Sequence, residues 1–387
     1  MRILFVTPFP PAADAAHGGG VYLGTLCQAL AGHAELGLAT LCPPATALPA
    51  LGAPWRWVGT SQLPPRQRGW RLAGAQLRTL WRWRQLPLVV AKAFAPGFGA
   101  VLAAARAEFR PDAVCVEMGQ MAQYLPDLRG LPTLFTDHEA GCAANTRTGL
   151  GRRGDARDQR LWPAYARRFY PLANAVQALT DEDAAELGRL LDRPVGIRRP
   201  VFAVPAEPID AGRAPPRALF LGDYRHGPNP EAARRIAHEV LPRLRDAVPA
   251  AELWLAGPNQ EAIADLAGLS GVRLVGFVPD LAGLFGQCRL LLAPLYSGGG
   301  FRVKAAAALA HGLPLVTNAL GGRGCAAPAP ARQLAEDADG LAAAALRLLR
   351  SPELARDAGR TAHQWALANL ASAAVAAQQL AVLANLR

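Results

Sequence analysis

The sequence has 387 residues, of which 51% are hydrophobic and 18% charged, and it carries a formal net charge of +11. A single core stops growing at about 250–300 residues, so this length calls for two domains of comparable size. The composition excludes a disordered chain, and no apolar run approaches the roughly 18–20 residues of a membrane span. The positive charge favours polyanionic partners: nucleic acid, acidic lipid or phosphorylated small molecules.

The opening MRILFVTPFPP reads as a first strand rather than a secretory leader, because no small-residue cleavage site follows a sustained apolar segment. Six cysteines, at positions 27, 42, 115, 142, 288 and 325, form no CxxC pair and have no histidine at metal-ligand spacing. They read as reduced thiols, and the expected location is the cytoplasm.

After the first strand come a Gly-rich turn, Gly18, Gly19 and Gly20, and an amphipathic helix, VYLGTLCQALAGH. No Asp or Glu then occurs between Glu35 and Glu108. Within that interval, residues 66–92 interleave Arg66, Arg68, Arg71, Arg78, Arg82, Arg84 and Lys92 with Trp70, Trp81 and Trp83. Three readings stand side by side. An anionic membrane face would suit basic residues beside Trp. Single-stranded nucleic acid, the least favoured, would use stacking and phosphate contacts. The third is a helix whose Trp residues cap the core while its Arg residues are solvated. A second basic cluster, Arg147 to Arg160, is interrupted by Asp155 and Asp158 and reads as a solvated helix or loop.

Further strands are expected at 113–117, 133–137 and 175–179, the last followed by a helix with the capping pair Thr180 and Asp183. Residues 203–216, rich in Pro, Ala and Gly and without periodicity, read as a linker. Beyond it, nearly all-apolar strands at 218–222, 252–257, 272–277, 289–295 and 313–318 alternate with helical segments at 228–249, 259–269, 280–287 and 303–312. That alternation is a doubly wound parallel sheet.

Ligands of such sheets bind beyond the carboxyl ends of the strands. There the sequence SGGGFRVK leaves a buried strand and enters a helix. Gly298, Gly299 and Gly300 allow close backbone approach, the helix N-terminus presents amides, and Arg302 and Lys304 add two cations. The pattern is that of a pyrophosphate cradle.

The stretches PNPEAARRIAHEVLPRLRDAVPAAELWLAG, GVRLVGFVPDLAGLFGQCRLLLAPLYSGGGFRVK and AHGLPLVTN, in this order, resemble the donor domain of glycosyltransferase family four. The resemblance covers about 218–370 and implies two facing Rossmann-like α/β domains (GT-B) with a cleft between them. The expected division is an acceptor domain over 1–202, a linker over 203–216, a nucleotide-sugar domain over 217–370, and a last helix over 371–387 crossing back to the first domain. It implies retaining transfer from a nucleoside-diphosphate sugar to a glycan, lipid or small-molecule acceptor, with no cofactor or metal. Peripheral attachment at the inner membrane face would suit a lipid-linked acceptor.

Carried over residue by residue, Arg302 and Lys304 would bind the donor diphosphate. Gly298 to Gly300 with Phe301 would pack against the sugar, Gly18 to Gly20 would approach the diphosphate from the first domain, and His138 would face the donor sugar. Trp70, Arg78, Trp81, Arg82, Trp83 and Arg84 are the candidates for an acceptor or membrane surface.

One departure stands out. The family has two glutamates eight positions apart, the second on the donor ribose, where this sequence has Gly299 and Ala307. Losing that carboxylate costs about 1–3 kcal/mol of donor affinity unless another group, such as Glu336 or Asp337, replaces it. Two alternatives remain open: a nucleotide-sugar epimerase of the same fold, and a non-catalytic relative that acts as a binding protein.

Overall fold

The computed structural model describes residues 1–12, 18–42, 55–63, 77, 81–82, 84–139, 151–298 and 300–386. The sequence expectations for Trp70, Arg78, Trp83 and Gly299 lie outside the described residues. The chain divides into two compact units, Met1–Val201 with Val375–Arg387, and Phe202–Ala374.

The first unit is built on a seven-stranded parallel sheet. Its strands are β1 (Arg2–Thr7), β2 (Glu35–Cys42), β3 (Trp55–Gln62), β4 (Ala113–Glu117), β5 (Thr133–Asp137), β6 (Ala175–Ala178) and β7 (Gly196–Ile197), in the order β3-β2-β1-β4-β5-β6-β7. Strand β1 shows why its residues form a central strand. Leu4 and Val6 enter one core, and Ile3 and Phe5 enter the core on the opposite face. Val375, Ala376 and Leu383 of the C-terminal helix Ser372–Ala384 complete that second core.

Helix α1 (Gly18–Ala31) follows β1, and the three glycines expected to form a turn are its first residues. Helix α2 (Gly151–Phe169) holds Asp158 buried, where its carboxylate accepts the amide of Leu88 at 2.7 Å, instead of solvated as the charge pattern suggests. Helix α3 (Asp181–Leu191) starts on Thr180, whose hydroxyl accepts the Asp183 amide at 3.0 Å.

The second unit has six parallel strands: β8 (Arg217–Leu221), β9 (Glu252–Ala256), β10 (Val272–Gly276), β11 (Leu290–Leu292), β12 (Leu315–Thr317) and β13 (Arg332–Leu334). Their order is β10-β9-β8-β11-β12-β13. Among its helices are α4 (Pro228–Arg235) after β8, α5 (Val303–Ala310) after β11, α6 (Ala338–Arg350) and α7 (Pro352–Asn369). One hydrophobic core runs through this unit. The Pro/Ala/Gly segment read as a linker is tied into it, with Ile209 donating its amide to His311 O.

In both units the strand order reverses at one point, beside β1 and β4 in the first and beside β8 and β11 in the second. Loops diverge there, and the carboxyl ends of those strands form the crevice in which open α/β sheets bind ligands.

Candidate active site

In the second unit the reversal point is bridged by side chains. Lys304, on the first turn of α5, donates from Nζ to Asn229 Oδ1 at 2.6 Å, and Asn229 Nδ2 donates to Asp223 O at 2.8 Å. A residue that follows β11 thus reaches one that follows β8. Lys304 Nζ also lies 4.3 Å from the centre of the Phe220 ring. Burial, reinforced by the charge of Arg302, lowers the Lys304 ammonium from its ordinary 10.5 to about 7. No carboxylate pairs with Lys304 among the described residues. An anion arriving at this cation would supply the missing counter-charge, and α5 begins without a side-chain cap on its amides.

The backbone around Lys304 is shaped by glycine. A Cβ on Gly257, whose φ is +127°, would stand 2.0 Å from Gly222 O, so the chains leaving β8 and β9 touch as only glycine allows. Gly298 and Gly300 both have positive φ, at 96° and 75°, in the loop that leads to α5.

Arg302 is placed differently from its sequence expectation. It is buried, with Nε donating to Leu320 O at 2.8 Å and Nη2 to Gly298 O at 2.9 Å. Its guanidinium therefore fastens the glycine loop to the loop after β12, and its charge acts on the crevice through space. Phe301 packs on the core and stacks near Phe202, with centroids 5.9 Å apart. Asn318, which the sequence reading did not single out, exchanges hydrogen bonds with the backbone of Leu295 at 3.1 and 2.7 Å and so fixes the start of the glycine loop.

Neither substitute carboxylate is idle. Asp337 caps α6 through the Gly340 amide, and Glu336 accepts the Ala319 amide at 2.8 Å. Ala307 lies partly buried on α5, where its carbonyl accepts from the His311 backbone and faces His311 Nδ1 at 2.8 Å.

In the first unit the equivalent crevice holds a buried polar cluster. Arg198, just past β7, clamps both oxygens of Glu117, the last residue of β4, at 2.7 and 2.6 Å. His138, just past β5, places Nε2 2.9 Å from the second of those oxygens. Tyr22 of α1 accepts Arg198 Nε–H at 2.8 Å and sets its ring edge-on to His138 with centroids 5.2 Å apart. Burial pushes the Glu117 carboxyl up, but the Arg198 charge and the bonds from His138 and Arg198 outweigh it and bring it to about 2. Burial holds His138 below its ordinary 6.5, against the opposing pull of Glu117.

Of this cluster only His138 was singled out from the sequence. Glu117 is the last residue of an otherwise apolar strand, a position that deserves notice because an unpaired buried carboxylate is not tolerated. Arg198 gives no comparable sequence signal, since Arg199 follows it and pairs with Asp181 instead.

Residues 215–351 match the family described as Glycosyl transferases group 1. The glycosyl transferase segment takes in β8 to α6, with Lys304, Asn229 and the glycine loop inside it. No curated protein sequence matches the chain.

Among solved structures, sucrose-phosphate synthase from Thermosynechococcus elongatus is 19% identical, with a TM-score of 0.67 over 100% of this chain and 99% of its own. Anabaena HepE in complex with UDP is 15% identical, with a TM-score of 0.63 and full coverage of both chains. The lipopolysaccharide outer core galactosyltransferase WaaB, in its apo form, is 12% identical with a TM-score of 0.62 over both full chains. The two parallel-sheet α/β domains thus have the GT-B fold, and the family match lies within the second of them.

The basic, Trp-bearing stretch is partly integrated into the first unit. Arg82 lies 3.7 Å over the Phe94 ring and donates to Gln123 Oε1 at 3.0 Å, so its charge is engaged. Trp81 and Arg84 are exposed. No helix among the described residues is long and apolar enough to cross a membrane.

Proposed function

We propose that the chain is a glycosyltransferase that moves a sugar, with retention of configuration and without a metal, from a nucleoside-diphosphate sugar to a glycan or lipid-linked acceptor. The observation that carries this reading is Lys304: a partly buried cation without a carboxylate partner among the described residues, held on Asn229 across the reversal point, at an uncapped helix start within the family segment. The binding of UDP by HepE makes uridine the first base to test.

As the bond between the sugar and the diphosphate breaks, negative charge collects on the departing oxygen. Lys304 and the first amides of α5 would meet that charge, while Arg302 keeps the loop in place. The stabilisation is preorganised, because the side chains are already held by Asn229, Leu320 and Gly298. A screen of uridine, guanosine and thymidine diphosphate sugars for donor hydrolysis tests the reading. Release of the nucleoside diphosphate with one base is expected, and isomerised donor without release would point to an epimerase instead.

The missing ribose carboxylate yields a second test. Ala307→Glu is expected to tighten nucleotide-sugar binding by about tenfold, the equivalent of a bond to a charged acceptor, and calorimetric titration measures it. Unchanged affinity would mean that another group already serves the ribose.

For a lipid-linked acceptor, the protein is expected to sediment with anionic vesicles at low salt and to be released as salt rises. Equal binding to neutral vesicles would reject the electrostatic part of this proposal.

A further inference from the structure

Arginine supplies nearly all of this chain's positive charge: of its 41 Lys and Arg residues, only Lys92 and Lys304 are lysines. A guanidinium keeps its charge, whereas an amine can lose a proton and then offers a lone pair as a nucleophile. Lys92 ends the helix Leu88–Lys92 and is exposed, so Lys304 alone of the two is held and partly withdrawn from water.

The surroundings of Lys304 favour the free amine. No carboxylate among the described residues pairs with it, Arg302 beside it carries like charge, and the ammonium would stand on the first turn of α5, the positive end of that helix. Burial and the like charge outweigh the attraction of the Phe220 ring for a cation, in keeping with a side chain that titrates at about 7.

Asn229 fixes the nitrogen. Its Nδ2 is spent on Asp223 O, so Oδ1 faces Nζ and accepts an N–H, which an amine and an acylated nitrogen both possess. The seat is built closely, since a Cβ on Gly222 would stand 2.7 Å from Asn229 Cγ. The uncapped start of α5 and the charge of Arg302, which oppose an ammonium, would favour an anion carried by the same side chain.

We propose that Lys304 is a carbon dioxide site, at which the free amine forms a carbamate and so replaces the cation of the phosphate crevice by an anion. In the step the Nζ lone pair forms a bond to the carbon of carbon dioxide, one C=O π pair moves onto oxygen, and Nζ releases one proton to solvent. The carbamate N–H still donates to Asn229 Oδ1. The proposal rests on the glycosyltransferase reading only for the identity of the phosphate ligand that the carbamate would exclude; the carbamate itself needs none.

Two measurements test it. Carbon-13 NMR of the full chain in ¹³C-labelled bicarbonate near neutral pH reads the carbamate directly, and variants assign it, because Lys92 and the α-amino group can form one too. A signal is expected that disappears in Lys304→Met, persists in Lys92→Met, and is removed from wild type by inorganic pyrophosphate. No signal beyond that of the α-amino group, a signal that survives in Lys304→Met, or one that pyrophosphate leaves untouched would overturn the proposal. The pyrophosphate arm needs no variant to fold.

Calorimetric titration of UDP reads the consequence. Raising dissolved carbon dioxide at fixed pH is expected to weaken UDP binding to wild type by about threefold or more, as a ligand that competes for the free site does. Lys304→Arg keeps a cation but forms no carbamate, so its UDP affinity should not depend on carbon dioxide. Carbon dioxide weakening the two proteins equally, or neither of them, would contradict the proposal. Absence of UDP binding to either would instead count against the glycosyltransferase reading, while the NMR result would still decide the carbamate.

Discussion

Lys304→Ala is expected to lower sugar transfer at saturating donor by about a hundredfold or more while leaving thermal stability within about 1 kcal/mol of wild type. The rate loss follows from removing a preorganised cation where charge develops, for which one donor is worth about 2.7–4 kcal/mol. Donor binding should weaken less than turnover falls, because the interaction strengthens as the bond breaks. Stability should change little because the wild-type ammonium is held in surroundings that disfavour its charge. Arg302→Ala should behave differently. It removes hydrogen bonds to Leu320 and Gly298 from a buried side chain, so it should cost about 1–3 kcal/mol of stability as well as activity. Steady-state kinetics combined with denaturant unfolding separates the two residues. Equal stability losses in the two variants would contradict these assignments.

The largest effect on stability is expected at Glu117 and Arg198. Each is almost fully buried, so removing either alone strands an uncompensated charge and should cost the first unit about 3–5 kcal/mol. Replacing both, as Glu117→Leu with Arg198→Met, should cost less than either single change. Chemical denaturation followed by a probe in the first unit measures this coupling, and simple additivity of the single losses would contradict it.

The pair also has a pH signature. The Glu117 carboxyl stands near 4.5 when unfolded and about 2 when folded. Between those values the unfolded chain binds the extra proton. The stabilisation is therefore complete above about 4.5 and is lost as pH falls towards 2. In Glu117→Gln that acid-limb dependence should shrink.

How much of this could be seen in the sequence depends on burial only in part, since β2, with seven of its eight residues buried, was not expected. The central strands β4 and β5 were legible to the residue because all of their side chains are buried, with β4 apolar up to Glu117 and β5 pairing Leu134 and Phe135 with β-branched threonines. Strand β3, Trp55–Gln62, escaped because it lies at a sheet edge with alternate residues exposed and Arg56 among them. β13 escaped for a similar reason, being a three-residue edge strand, Arg-Gln-Leu, with no fully buried member.

At the candidate site, the glycine loop and the cations Arg302 and Lys304 announced themselves by local pattern. The roles of the two cations did not, since only the fold shows that Arg302 turns back onto backbone carbonyls while Lys304 reaches Asn229. Arg198 lies 81 positions from Glu117 and 176 from Tyr22, and no local pattern records such a meeting.

The most direct measurement of the central claim, that a nucleoside diphosphate is held at Lys304, is calorimetric titration of UDP into wild type and Lys304→Met at pH 7 and pH 9. A bound diphosphate favours the ammonium over the free amine, so the complex takes up a proton when the free side chain titrates at about 7. Wild-type affinity should therefore be higher at pH 7 than at pH 9, by about tenfold or more, with proton uptake visible as a heat that depends on the buffer. Lys304→Met should bind more weakly at pH 7 and lose most of the pH dependence. Binding of UDP by Lys304→Met as tightly as by wild type, or no binding to wild type at millimolar concentration, would contradict the account.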